Sequence, residues 1–394
     1  MLLVRGADVL LDEGLAQVDV LVVEDRIAAI GPEATTAIDR AEVWQADGLM
    51  LLPGIIDLHG DAFERQIMPR PGVTFPLDVA LLETDRQMVA NGITTAFHGL
   101  TWSWEPGLRG RAAAHDFLEC LDRVRGRLVC DTLVHLRHEI YNLDAVEEVA
   151  GWLRDGRIDL LAFNDHVPMI LEKAAKPGGL GPYAERTGLA PDAFRALLDQ
   201  VAGRAGEVPA TVRRLAAEAV RNGVVMASHD DETPQMRQWY HDIGCTLCEF
   251  PVTRETAEHG QALGNPVIMG APNVLRGGSH AARLSAADLL GDGTCSILTS
   301  DYYYPSLLQA PFLAARQSVC SFAEAWATVS ANPARAAGLL DRGRVGRGLR
   351  ADLLVVDPSG PVPHAVATLV AGRPAFTQDI WRLRSPGAIL GAAV

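Results

Sequence analysis

Lysine is nearly absent from this chain: Lys173 and Lys176 stand against 33 arginines. A bias in base composition accounts for that, yet it rules out chemistry that needs a lysine at most positions. Cysteine is also thin. Six are spread over 394 residues, which excludes a disulfide framework and fits reduced thiols in the cytoplasm. Cys245-Thr246-Leu247-Cys248 is a lone CxxC entering an apolar segment, and it reads as structural. Positive charge is in deficit, with a net charge of −14. That argues against nonspecific nucleic-acid binding, so a polyanion would need local arginines or metals. No charge-free apolar run approaches the roughly 18 residues of a membrane span. The N-terminus, Met1 to Arg5, turns charged at once and lacks a secretory pattern. The expected location is therefore cytoplasmic, with no membrane partner and with a homo-oligomer left open.

What is present suffices for a large core, since 48% of residues are apolar. Residues 1–52 read as short strands separated by turns, and 340–394 read alike. Neither end can bury a core alone, so the two are expected to pair into one composite β-sandwich. Between them, over 53–339, strands alternate with helices, the pattern of a parallel sheet. Buried strands are expected at 53–59, 93–99, 131–139, 158–166, 223–230, 245–252, 266–272 and 295–301. Helices are expected at Asp78–Asn91, Ala112–Val124 and Pro209–Asn222. Eight such steps close an α/β barrel of the (β/α)8 TIM type. Segment 167–208 is too long for an ordinary loop, and its Pro177–Pro182 stretch reads as a flexible cover or a solvated loop.

The C-terminal strand ends of such a barrel converge on one face. The first expected end carries His59 and Asp61, two residues apart and so on one side. The third carries His135, Arg137, His138 and Glu139. Asn164, Asp165 and His166 end the fourth, and His229, Asp230 and Asp231 the fifth. Asp301 ends the eighth. A single histidine at a strand end is usually a polar cap or a satisfied core residue. Histidines and acids at five of these eight ends are a metal-binding pattern.

These features resemble the amidohydrolase superfamily. The likeness spans nearly the whole chain and rests on Leu52–His59, Gly92-Ile93-Thr94-Thr95, Asp301 and Ala351-Asp352-Leu353. Pro69–Val73, Ala227–Asp231, Glu249-Phe250-Pro251, the run Met269–His280 and Ser300–Tyr303 resemble its phosphonate-utilisation branch. Asp61 stands where the superfamily usually has a second histidine, as in that branch. The resemblance implies a metal-dependent hydrolase holding one or two divalent ions, zinc first, with manganese or iron as alternatives. Many members bridge two metals with a carboxylated lysine. Neither lysine lies at an expected strand end, so Glu139 is the expected bridge. The first metal is expected to take His59, Asp61, Glu139 and Asp301, and the second Glu139, His166 and His229. Asp165 could replace His166. Glu249 is a further candidate ligand, with a buried acid paired to an arginine as its plainer role. Asp301 is the expected catalytic base.

The branch implies a small phosphorylated sugar as substrate, α-D-ribose 1-methylphosphonate 5-triphosphate, split to release diphosphate in phosphonate catabolism. Arg276, Gly277, Gly278 and Ser279 would supply a guanidinium and approachable backbone N–H groups. Arg70, Arg137 and His280 are further candidates. A carbon–nitrogen hydrolase, a cyclic-amide hydrolase or deaminase, is the main rival, because the same metal core serves both. A non-catalytic scaffold barrel is disfavoured by the full ligand set.

Overall fold

The computed structural model describes residues 1–70, 72–277 and 284–383. Eight parallel strands form the central sheet. They are β1 (Ile55–Gly60), β2 (Ile93–Trp102), β3 (Asp131–Glu139), β4 (Leu160–Asn164), β5 (Val225–His229), β6 (Leu247–Glu249), β7 (Val267–Gly270) and β8 (Cys295–Thr299). Each pairs in parallel with its sequence neighbour. Their side chains are buried on both faces, as expected where helices cover a parallel sheet and the strand interior is filled. Ile56, Leu58, Phe97, Leu160, Ala162, Ala227, Leu247, Ile268 and Ile297 form one apolar cluster that fills the lower barrel. The expected helices appear at Leu77–Ala90, Arg111–Val124 and Val208–Arg221.

The barrel closes beyond the last residue of β8. The Asp61 amide donates to the Asp301 carbonyl and the Asp301 amide to the His59 carbonyl, both at 2.9 Å. Asp57 braces this seam from within: its carboxylate accepts from the Ser300 amide at 3.0 Å and from the Ser300 hydroxyl at 2.5 Å. Burial raises the Asp57 pKa against those hydrogen bonds. Gly60 is required there, because a Cβ would lie 2.7 Å from Asp57 Oδ2 and 2.9 Å from the Tyr304 ring.

Two mixed sheets hold the chain ends. In the larger one, Leu353–Asp357 pairs antiparallel with Met50–Pro53, so both ends of the chain share one sheet. Leu2, Val4 and Trp44 of the smaller sheet pack with Val9, Leu51, Leu353, Val355 and Leu369 of the larger in one core.

Segment 167–208 differs from the expected cover. It folds as three helices, Val167–Ala174, Gly181–Thr187 and Pro191–Ala202. Val167, Ile170, Tyr183, Phe194, Leu198 and Val201 give it a small core of its own. The Pro/Gly-rich stretch is a tight turn: a Cβ on Gly179 would meet the Lys173 carbonyl oxygen at 1.9 Å. Apolar spacing along the helices, rather than turn residues, decides the segment's structure. The CxxC cysteines are both buried. Burial pushes the Cys248 thiol up to about 12 and Cys245 higher, so both are neutral packing groups.

Candidate active site

The tops of β1, β3, β5, β6 and the end of β8 bring their polar side chains into one nest. Glu249 sits at its base, buried and within 4.0 Å of three imidazoles. His59 Nδ1 lies 2.8 Å from Glu249 Oε1, and His229 Nδ1 lies 2.7 Å from Oε2. A carboxylate that is ionised only accepts, so each ring donates through Nδ1. The Glu249 pKa is held well below the carboxylate range: burial opposes ionisation, and the surrounding histidines overcome it. For His59, burial alone would depress the pKa, but the Glu249 charge raises it on balance. For His229 burial wins and the pKa is lowered. His135 lies below, its Nδ1 donating to the Leu58 carbonyl at 2.8 Å. Burial drives its pKa down to about 3, so it is a neutral ring.

His59, His229 and Glu249 themselves make one buried group of potential ligands, and above it lie two more. His59, Asp61 and Asp301 form one, and His166, His229 and Asp230 the other; within each, one ligand atom per residue lies within 4.8 Å of the rest. The His59 and His229 rings stack with centroids 5.5 Å apart. Arg137 stands between the groups. Its guanidinium lies 3.2 Å from Asp61 Oδ2 and 3.4 Å from His229 Nε2. A guanidinium has no acceptor, so His229 Nε2 is unprotonated and accepts from Arg137. The Phe250 ring meets both histidine rings edge-on, at centroid distances of 5.2 and 5.1 Å.

Local backbone geometry aims these groups. Asp230, Phe250 and Asp301 each have a left-handed backbone, with φ of 58°, 53° and 54°. Non-glycine residues there cost of order 1–3 kcal/mol and cluster at functional sites. The strain breaks strand alternation, which turns Asp230 and Asp301 toward the nest and not along the strand direction.

The donor set fits a divalent metal. Imidazole nitrogens and carboxylates in this mixture suit zinc or a similar ion. The crowding of acids points the same way. Asp301 is pushed up to about 6 by burial and by the neighbouring Asp61 charge. Asp165 is pushed up to about 6 by burial and by Glu139. A cation among these carboxylates would remove the repulsion.

The structure brings His59, Asp61, His166, His229 and Asp301 together. Glu139 belongs to none of the three ligand groups among the described residues. It is instead paired with His166 Nδ1, and its Oε2 is buried without a hydrogen-bond partner. Arg137, expected at the phosphates, is buried among the ligands. Arg276 is exposed and donates to the Tyr302 hydroxyl at 3.3 Å, next to Asp301. Gly277 is exposed beside it in a left-handed turn, φ 72°. Arg70 is exposed in a turn closed by the Val73 amide, which donates to the Arg70 carbonyl at 3.0 Å. Gly278, Ser279 and His280 lie outside the described residues. Two residues were not assigned a role from sequence. Asp230 is one; the doublet Asp230-Asp231 was its signal, and the structure divides the roles. Asp231 is buried, paired to Arg237 at 3.2 Å and to Ser228 at 2.5 Å. Arg65 is the other, with its guanidinium 5.5 Å above the Tyr302 ring.

Among known proteins, the chain is 32% identical over 326 residues to α-D-ribose 1-methylphosphonate 5-triphosphate diphosphatase of Escherichia coli strain K12, covering 80% of this chain and 85% of that protein. The chain belongs to the amidohydrolase superfamily, in the family of this diphosphatase. No family model matches it. Solved structures agree on the fold. Dihydropyrimidinase from Brevibacillus agri superposes with a TM-score of 0.64 at 13% identity, covering 95% of each chain. A zinc-containing mutant atrazine chlorohydrolase from Arthrobacter aurescens, complexed with atraton, gives 0.64 at 14% identity over 100% of this chain and 99% of the other. Membership of the superfamily makes this chain a hydrolase, and its buried His59, His229 and Glu249 are consistent with divalent metal binding. No helix among the described residues is long and apolar enough to cross a membrane.

Proposed function

We propose that this protein releases diphosphate from α-D-ribose 1-methylphosphonate 5-triphosphate, as the Escherichia coli relative's name states for that protein. The observation that supports the reading is that similarity, 32% identity extending over 80% of the chain. The superfamily fold alone would serve carbon–nitrogen hydrolysis equally well. Likeness to cyclic-amide hydrolases, at 13% identity for the dihydropyrimidinase, speaks for the fold alone.

His59, Asp61 and Asp301 would hold one divalent ion, and His166, His229 and Asp230 could hold a second. Such an ion lowers the pKa of a bound water and offsets the phosphoryl charge that repels a nucleophile. Asp301 Oδ accepts the proton of the attacking water. Attack falls on the phosphorus next to the ribose, and the bond to the departing diphosphate breaks. The leaving group needs charge neutralisation more than a proton. Arg276 beside Tyr302 supplies it, with Arg65 on the same tyrosine. Arg70, Gly277, Gly278, Ser279 and His280 are further candidates for gripping phosphates, and Arg137 holds Asp61 in place.

Incubation with ribose 1-methylphosphonate 5-triphosphate, ribonucleoside triphosphates and cyclic amides, followed by phosphorus NMR, tests this. Diphosphate and the ribose 5-monophosphate are the expected products. Orthophosphate alone places the attack at another phosphorus. Turnover confined to cyclic amides overturns the reading in favour of carbon–nitrogen hydrolysis.

A further inference from the structure

Glu249 occupies an unusual place: one buried carboxylate serves His59 and His229, the three making a candidate ligand group of their own, while each imidazole also belongs to a second group. We propose that Glu249 is a positioning residue that fixes the tautomer of His59 and His229 together, so that both rings present Nε2 to metal. The proposal rests on the metal-dependent hydrolase reading, and not on the identity of the substrate.

Geometry separates this role from direct ligation. Two ligands on a tetrahedral zinc, each about 2.0–2.1 Å from the ion, stand about 3.3 Å apart. The Glu249 oxygens lie 2.8 and 2.7 Å from their imidazole nitrogens, which is hydrogen-bond distance. Each oxygen is used by one ring. His135 offers no competing proton: its Nδ1–H is committed to Leu58, and its bare Nε2 is 4.0 Å from Glu249 Oε2. In the metal-free nest Arg137 donates to the His229 Nε2 lone pair, which indicates the same tautomer; a metal at Nε2 would take that lone pair in place of Arg137. For His59, Nε2 is the ring nitrogen that Glu249 leaves free, and Asp61 and Asp301 are its partners in the second ligand group.

The Glu249 backbone joins the same arrangement. Its carbonyl accepts the Asp230 amide at 2.9 Å, which supports the left-handed turn that aims the Asp230 carboxylate. A single residue on a three-residue strand thus orients a histidine of each group and the acid of one. Carboxylates that hold metal-ligating imidazoles this way typically contribute 10–100-fold to metal affinity.

Glu249→Gln is the informative change. The amide keeps one acceptor oxygen and turns an NH2 toward the second ring. That ring must then accept at Nδ1 and carry its proton on Nε2, which closes the nitrogen to metal. Zinc-loaded wild-type protein with 15N-labelled histidine reads the tautomers directly, with His59→Gln and His229→Gln variants assigning the signals. Both rings are expected to carry their proton on Nδ1. A chelator competition titration with zinc alone then compares wild type with E249Q, where affinity should fall 10–100-fold. A proton on Nε2 of either ring in the zinc-loaded wild type overturns the proposal without any variant. Unchanged zinc affinity in E249Q overturns it too. Failure of wild type to bind zinc removes the metal reading along with it, whereas failure of the phosphonate assay alone leaves it standing.

Discussion

His98 makes acid sensitivity of this fold a quantitative matter. It lies on β2, buried against Phe63 and Phe117 at ring-centroid distances of 5.2 and 5.9 Å, and its Nδ1 has no hydrogen-bond partner. Burial, with a smaller push from Arg125, lowers its pKa from 6.5 to about 4. The folded pKa is below the unfolded one, so the unfolded chain binds more protons between these values. Stability is therefore complete above pH 6.5 and declines as pH falls toward 4. Linkage across that shift gives a loss of about 2 kcal/mol between pH 8 and pH 5, and about 3 kcal/mol once pH is below 4. His138, lowered to about 4 by burial, should contribute similarly. Replacing His98 by leucine keeps apolar volume and removes the titrating ring. Urea unfolding of metal-free protein at pH 8 and pH 5, followed by tryptophan fluorescence, measures the difference. The variant should lose about 2 kcal/mol less than wild type over that interval. An equal loss in both proteins would show that His98 is not buried neutral in the folded chain.

His59→Ala should abolish stoichiometric metal binding in elemental analysis of purified protein, because it removes a ligand and a partner of Glu249. Arg276→Ala should lower kcat/KM for the triphosphate by roughly tenfold to a hundredfold, the loss of one charge-assisted contact, with metal content intact. Arg237→Ala should destabilise the fold by about 3–5 kcal/mol in thermal unfolding, because Asp231 would be left buried and unpaired. Trp326→Ala, which removes a buried ring whose Nε1 donates to the Pro53 carbonyl at 3.1 Å, should destabilise by a similar amount, about 3–5 kcal/mol.

The barrel was legible in sequence because buried parallel strands are short continuous apolar runs bounded by turn signals. Asp131–Glu139 matches its expected span, and the other strands fall within theirs or run a few residues past. The strand ends carried the site for the same reason: polar residues at the end of an apolar run stand out. What sequence did not show was pairing across the barrel. Glu249 meets two histidines instead of an arginine, and Arg137 lies between the ligand groups. These contacts join residues far apart in sequence, so no local pattern encodes them. Arg237 reads as an ordinary helix residue, yet it is fully buried, donating to the carbonyls of Cys245 and Leu247. The left-handed turns at Asp230 and Asp301 were equally hidden, since neither residue is glycine.

The seam between β1 and β8 gives the enzyme a built-in reporter. Those two strands are held together where the Asp61 and Asp301 amides cross, and the same two residues supply carboxylates to the nest. Breathing of the barrel wall and loosening of the nest are then one motion. A ligand that grips both carboxylates zips the wall shut, and slowed solvent exchange at two backbone amides would record its arrival without any label on the ligand.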